Sequence, residues 1–237
     1  MRRKKHLGFY VIAIFIIGTI VLPGCSQNHN DHRSNHKRKT HGYEHSFKNY
    51  SYITRFESPQ RKKWQKPDLV VRKMNIKPGD RIADIGAGSG YFTRRFARIV
   101  GPKGLALGLD TEINMVRYMK RDIKKLKMKQ YQVKKVGYNG HELKSNTFNI
   151  VFMCNVYHHI SGRIQYFKRV SKSLKSTGRL VIVDFYKRKS PMGPPIHHRI
   201  RAEKVIKELK EAGFILIKQE NFLPYQYYLK FRKKNNP

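Results

Sequence analysis

Residues 80–92 read Asp-Arg-Ile-Ala-Asp-Ile-Gly-Ala-Gly-Ser-Gly-Tyr-Phe, an apolar run closed by an acid and broken at once by three glycines. No other stretch of the 237-residue chain restricts its fold as tightly. Ile82, Ala83 and Ile85 suit a short buried strand that delivers Asp84 to its carboxyl end. Gly86, Gly88 and Gly90 can turn the chain with positive φ, and they keep Cβ atoms out of the way of a ligand. A helix is expected from about Ser89 to Val100. Strand, glycine loop and helix in this order form a nucleotide-type binding corner.

The spacing sorts the kinds of corner. A dinucleotide fingerprint needs glycine at 91, where Tyr91 stands, and a phosphate-cradling loop needs a Lys-Ser or Lys-Thr pair that does not follow here. What stands is acid-x-Gly-x-Gly-x-Gly. It resembles the first motif of the class I S-adenosylmethionine-dependent methyltransferases; taken alone, it also fits a Gly-rich turn of an unrelated α/β protein. The resemblance implies that Asp84, Gly86, Gly88 and Gly90 meet the amino-acid end of S-adenosylmethionine.

A second apolar run, Gly104-Leu-Ala-Leu-Gly-Leu-Asp110, ends in an acid 24 residues past Gly86. At the end of a second strand such an acid accepts hydrogen bonds from ribose hydroxyls. In isolation Asp110 would read as a helix-start residue, because a helical pattern begins at Thr111 with Ile113, Val116, Met119 and Ile123 on one face. Met115 resembles the apolar residue that the family lays against adenine, with a core methionine as the alternative. After a third strand over Tyr131–Val136, the family places an acid for the adenine amino group. This chain has Asn139 there, whose side-chain oxygen can accept from an exocyclic amine or simply face solvent.

A fourth strand, Phe148–Met153, runs into Cys154-Asn-Val-Tyr-His-His-Ile160. The resemblance implies that Asn155 borders the cofactor and that this segment faces the reacting methyl group. His158 and His159 are the candidate bases, since histidine titrates near neutrality; loop or helix-start histidines are the alternative. His197 and His198 follow a Pro-rich insertion at 191–196 that could fold over the site as a lid. A fifth strand is expected over Gly178–Asp184, preceded by a Lys-Ser-Thr-Gly turn at 175–178, and a helix at about 201–212 is closed by Gly213. Phe214–Glu220 and Tyr225–Phe231 suit a closing hairpin. Alternating strands and helices of this kind predict an α/β, Rossmann-like, doubly wound, seven-stranded and mostly parallel sheet with a C-terminal antiparallel hairpin.

The resemblance extends over residues 58–237, including Trp64-Gln-Lys-Pro67 and Phe222-Leu-Pro-Tyr-Gln-Tyr227, and is to "methyltransferase domain" proteins related to ubiquinone and menaquinone methyltransferases. It implies S-adenosylmethionine as cofactor and a small-molecule or lipid-like methyl acceptor. Three acceptor chemistries lack their motifs: no Asn-Pro-Pro-Tyr or Asp-Pro-Pro-Tyr follows strand four, no Pro-Cys pair is placed for attack on cytosine, and no Asp-Asp-Asn set offers a magnesium site.

The N-terminus points elsewhere. Met1-Arg-Arg-Lys-Lys-His6 is a positive start, Leu7–Leu22 is apolar, and Leu22-Pro-Gly-Cys25 resembles a bacterial lipoprotein cleavage box with Cys25 as the lipidation site. Sixteen apolar residues are short of the roughly 20 that span a bilayer comfortably. The expected organisation is a membrane-targeting segment at 1–24, a disordered His-, Lys- and Asn-rich linker at 25–57, and a domain at 58–237. The expected location is the bacterial cell envelope, held by Cys25 or by an N-terminal anchor. Fifty-one Lys and Arg against fifteen Asp and Glu give a formal charge of +36, which favours polyanionic partners, an anionic membrane surface before nucleic acid. An RNA methyltransferase and a catalytically inactive, membrane-tethered protein of the same fold are the alternative readings.

Overall fold

The computed structural model describes residues 51–138 and 143–234. Within them, seven strands form one sheet: β1 (Arg81–Ile85), β2 (Leu105–Asp110), β3 (Tyr131–Lys135), β4 (Phe148–Cys154), β5 (Leu174–Phe185), β6 (Phe214–Glu220) and β7 (Gln226–Lys233). The helices are α1 (Ser51–Glu57), α2 (Arg61–Gln65), α3 (Pro67–Met74), α4 (Thr93–Val100), α5 (Ile113–Leu126), α6 (Arg163–Ser173) and α7 (Ala202–Glu211). The strand order is β3-β2-β1-β4-β5-β7-β6. All neighbours from β3 to β5 pair in parallel, and β7 inserts antiparallel between β5 and β6. The doubly wound sheet with its closing hairpin is the fold that the sequence predicts.

The central strands have no polar face to offer water. Ile82, Ala83, Ile150 to Met153 and Leu180 to Val183 are all fully buried, the pattern of parallel strands covered on both sides. Alternate residues of β5 divide the core. Val181 and Val183 join Val70 of α3, Phe96 of α4 and Met119 of α5, whereas Leu180 and Ile182 join Phe167 of α6 and Val205 and Leu209 of α7. Burying a side chain of that size contributes roughly 1.5–3 kcal/mol, so the two apolar layers are what hold the helices on the sheet. Pro67 opens α3, where its missing N–H costs nothing, and Gly213 at φ 87° follows the end of α7 as expected.

Four local differences from expectation have physical causes. The helix expected from Ser89 starts at Thr93, because Gly90 holds φ 78° and cannot enter a right-handed helix. The turn at 175–178 lies inside β5 as a bulge: Phe148 pairs with Leu174 but Ile150 pairs with Arg179. Ile113 is 41% exposed, so the inner face of α5 is made by Met115, Val116 and Met119. The boundary expected at 58 falls after α1, which is folded and reaches the glycine loop. Asn139, Cys25 and the segments 1–24 and 26–50 lie outside the described residues. Among the described residues no helix is long and apolar enough to cross a membrane.

The strand order reverses between β1 and β4. In open α/β sheets this switch point opens a crevice at the carboxyl ends of the strands. Asp84, Cys154 and Asp184 all stand at that edge.

Candidate active site

The glycine corner lies at the end of β1. Gly86 and Gly90 have φ of 69° and 78°, and each also lacks room for a Cβ. At Gly86 it would run into the Val156 side chain, and at Gly90 into the Tyr131 hydroxyl. The loop is tied to β2 through its backbone: Gly86 and Ala87 N–H donate to Leu109 O at 2.8 and 3.0 Å. Gly88 N–H donates to Asp110 Oδ2 at 2.7 Å, and Glu112 N–H donates to Asp110 Oδ1 at 2.9 Å. Carboxylate oxygens accept more than one bond each, so Asp110 holds the loop and keeps acceptor capacity for a diol.

Both acids of this corner are buried. Burial pushes the Asp84 carboxyl up to about 7, against the hydrogen bond that Thr93 Oγ1 donates to its Oδ2 at 2.6 Å. Burial likewise raises Asp110 to about 6, partly offset by the N–H groups of Glu112 and Gly88. A ligand bringing positive charge to Asp84 favours its ionised form. Met115, at the start of α5, is buried.

Helix α1 closes over this loop. Glu57 accepts from Ser89 Oγ and pairs with Arg94 at 2.7 Å, and Arg94 also pairs with Asp122 at 2.7 Å and donates to Ser89 O at 2.9 Å. The Phe56 ring lies against Gly88. Arg94 thus fastens α1, the glycine loop and α5 together.

A second polar cluster is built at the ends of β4 and β5. His158, in a one-turn 3-10 helix at Tyr157–His159, places Nδ1 3.1 and 3.0 Å from the two carboxylate oxygens of Asp184. Both side chains are buried, at 4% and 2% exposure. A carboxylate can only accept, so an ionised Asp184 holds the proton on Nδ1 and leaves the Nε2 lone pair as the ring's proton acceptor. His159 is exposed, its ring 4.1 Å from that of His158. The structure therefore separates two histidines that the sequence presents as a pair.

Asn155 sits in the left-handed conformation at φ 61° and accepts from Gln226 Nε2 at 2.5 Å. Gln65 Nε2 donates to Gln226 Oε1 at 3.2 Å and to Cys154 Sγ at 3.0 Å. This chain of amides joins α2, β7 and the end of β4 beneath the crevice. Burial pushes the Cys154 thiol up to about 12, so it stays protonated and unreactive at neutral pH.

The segment after β5, with His197 and His198, is folded by Arg199. That guanidinium donates to the carbonyl oxygens of Tyr186, Arg188, Met192 and Pro194 and to Ser190 Oγ, all within 3.2 Å. Gly193 packs against the Phe185 ring, one residue past Asp184. The segment expected as a lid is thus a built loop packed on Phe185, the residue next to Asp184.

Of the residues singled out in the sequence, Asp84, Gly86, Gly88, Gly90, Asp110, Met115, Asn155 and His158 gather at this edge, and His159 is turned out. Asp184, Gln226, Gln65 and Arg61 were not foreseen. Asp184 carried a readable signal, an acid at the end of an apolar run, the same signal that marks Asp84 and Asp110.

Comparison with known proteins gives a consistent picture. Residues 76–228 match a family model described as a methyltransferase domain. Demethylmenaquinone methyltransferase from Bacillus mycoides (strain KBAB4) is 28% identical over 125 residues, covering 52% of this chain and 51% of that protein. The protein of the same name from Bacillus cereus (strain ATCC 10987 / NRS 248) is 27% identical over the same length and coverage. The chain therefore spans about half the length of the curated relatives it matches. Among solved structures, a SAM dependent methyltransferase from Aquifex aeolicus superposes with a TM-score of 0.72 at 25% identity, over 76% of this chain and 96% of that one. The [4+2]-cyclase SpnF also shares the fold, with a TM-score of 0.62 at 17% identity, over 73% of this chain and 81% of that one. Fold alone does not name a reaction, and the site has to.

Proposed function

Because this chain belongs to the methyltransferase domain family, we propose that it is an S-adenosylmethionine-dependent methyltransferase whose small or lipid-soluble acceptor gives up a proton during transfer. The observation that carries the second half is the buried His158–Asp184 pair at the acceptor side of the crevice. The residues present suit the cofactor: buried Asp84 matches an ammonium group, Asp110 matches ribose hydroxyls, and glycines keep the loop clear of Cβ atoms. S-adenosylmethionine, when bound, supplies a methyl group activated by its sulfonium. This chain then has to align the acceptor and remove its proton. Nε2 of His158 takes that proton, and Asp184 stabilises the imidazolium that forms. General bases so placed are worth about 10²- to 10⁴-fold in rate.

Demethylmenaquinone, the acceptor in the relatives' name, leads the acceptors to try, since it joins lipid solubility to the proposed chemistry. Attachment to the bacterial cell envelope, through lipid at Cys25 or an apolar anchor over Leu7–Leu22, would bring the domain to such an acceptor, and the excess of cations would favour an anionic lipid surface. Support for this part is the sequence of the N-terminus and the net charge. The test incubates the purified full chain with methyl-labelled cofactor and separated cell fractions. Label entering the lipid or small-molecule fraction is expected. Label confined to RNA or protein, or none in any fraction, sinks the reading. The mass of the mature N-terminus decides lipidation at Cys25 independently.

A further inference from the structure

Two arginines approach the glycine corner, and they are differently provided for. Arg94 has two carboxylates and a carbonyl. Arg61, on α2, has only neutral partners: its NH1 donates to Phe56 O at 2.9 Å and its Nε to Gln65 Oε1. Its guanidinium carbon lies 4.1 Å from the centre of the Tyr91 ring and 5.6 Å from that of Phe92. Among the described residues no ion pair includes Arg61. Glu57 is near enough to be felt but is committed to Ser89 and Arg94. Burial is the largest influence on this guanidinium and pulls its pKa below the usual arginine range. A desolvated cation short of an anion is costly in the free protein, and the cost is relieved when an anion arrives.

The arrangement says which anion. Arg61 is bonded to Phe56, whose ring lies against Gly88, and its guanidinium covers the ring of Tyr91, the residue after Gly90, so it stands at the glycine corner. Among the described residues Asp84 is a buried carboxyl without an ion-pair partner, and Arg61 is a cation without one. An amino acid carries the complementary two charges on one carbon. We propose that Arg61 binds the α-carboxylate of S-adenosylmethionine while Asp84 takes its ammonium group, so that α2 is recruited to the site by the amino-acid end of the cofactor. This rests on the cofactor reading given above. A planar guanidinium suits a carboxylate because it can offer two parallel N–H donors.

The full chain is titrated by calorimetry with three ligands: S-adenosylhomocysteine, its decarboxylated counterpart, and 5′-methylthioadenosine, which lacks the amino-acid end. The protein as it stands should prefer S-adenosylhomocysteine over the decarboxylated form by about 10- to 100-fold, the range for a hydrogen-bonded charge pair. Arg61→Gln should remove that preference and leave 5′-methylthioadenosine within about threefold, with Arg61→Lys restoring part of it. Equal affinity of the unaltered protein for the first two ligands overturns the proposal without any variant, whether or not Arg61→Gln folds. Equal weakening of all three by Arg61→Gln also overturns it. Failure of the unaltered protein to bind any of the three overturns the cofactor reading itself.

Discussion

The two halves of the carboxyl edge are built by different means. The half proposed to hold the cofactor, at β1 and β2, is made mostly of backbone, three glycines with positive φ and N–H groups bonded to Leu109 O and Asp110, with two acids at the strand ends. The half proposed to face the acceptor, at β4, β5 and β7, is made of side chains that reach across the chain: His158 to Asp184, Asn155 to Gln226, and Gln226 to Gln65. A backbone site tolerates change in neighbouring side chains and recognises one ligand. A side-chain site can be rebuilt without disturbing the fold, which is how one fold serves many acceptors. The halves meet at Val156, whose side chain fills the space where a Cβ on Gly86 would stand.

The sharpest separation of the halves comes from His158→Ala. It should lower kcat by about 10²- to 10⁴-fold while S-adenosylhomocysteine binding stays within about threefold. A variant that keeps full turnover breaks the division of labour. The converse is Asp110→Ala, expected to weaken S-adenosylhomocysteine by about 10- to 100-fold through loss of charged hydrogen bonds. Unchanged affinity in a titration would remove Asp110 from the cofactor site. Gly86→Ala tests the seam. It should cost about 1–3 kcal/mol in denaturant unfolding, from the left-handed φ and the collision with Val156, and Val156→Ala in the same chain should return part of that loss.

Smaller effects follow from pH. The raised carboxyls of Asp84 and Asp110 favour the folded state most below their unfolded values, and that stability is lost as pH rises through about 6 and about 7. Melting of the free protein should therefore shift downward over that window. Cofactor affinity should move the other way, since an ammonium group prefers ionised Asp84. Binding should tighten by at most about tenfold per pH unit and level off above about 7. Asp84→Asn should flatten that slope, and a slope that persists assigns it elsewhere. Least of all should Cys154→Ala matter, because a thiol held at about 12 performs no chemistry at neutral pH. A large loss of turnover there would overturn the reading of the thiol as inert.

Much of the fold was legible because it is periodic and local. β6 occupies Phe214–Glu220 as expected, and Gly213 closes the preceding helix. What failed to show in the sequence was set by neighbours. The extra length of β5 exists because β4 accepts Leu174 before the bulge, and α1 is held through Glu57 by Arg94 and Ser89. The site divides the same way. Asp84 and Asp110 announce themselves by ending apolar runs, whereas Gln65 and Gln226 look like ordinary surface glutamines until both are found fully buried.

The amino-acid sequence by itself determined the order of elements and the glycine corner, because φ preferences, burial periodicity and strand-end acids are properties of contiguous residues. Only the tertiary structure decided that His158 and not His159 meets Asp184, that Gln65, Gln226 and Asn155 form one chain, and that Arg61 comes to the glycine corner with no ion pair among the described residues. Those contacts join residues 26, 71 and 161 positions apart, and no local pattern encodes which distant side chains the winding of the sheet brings to one edge.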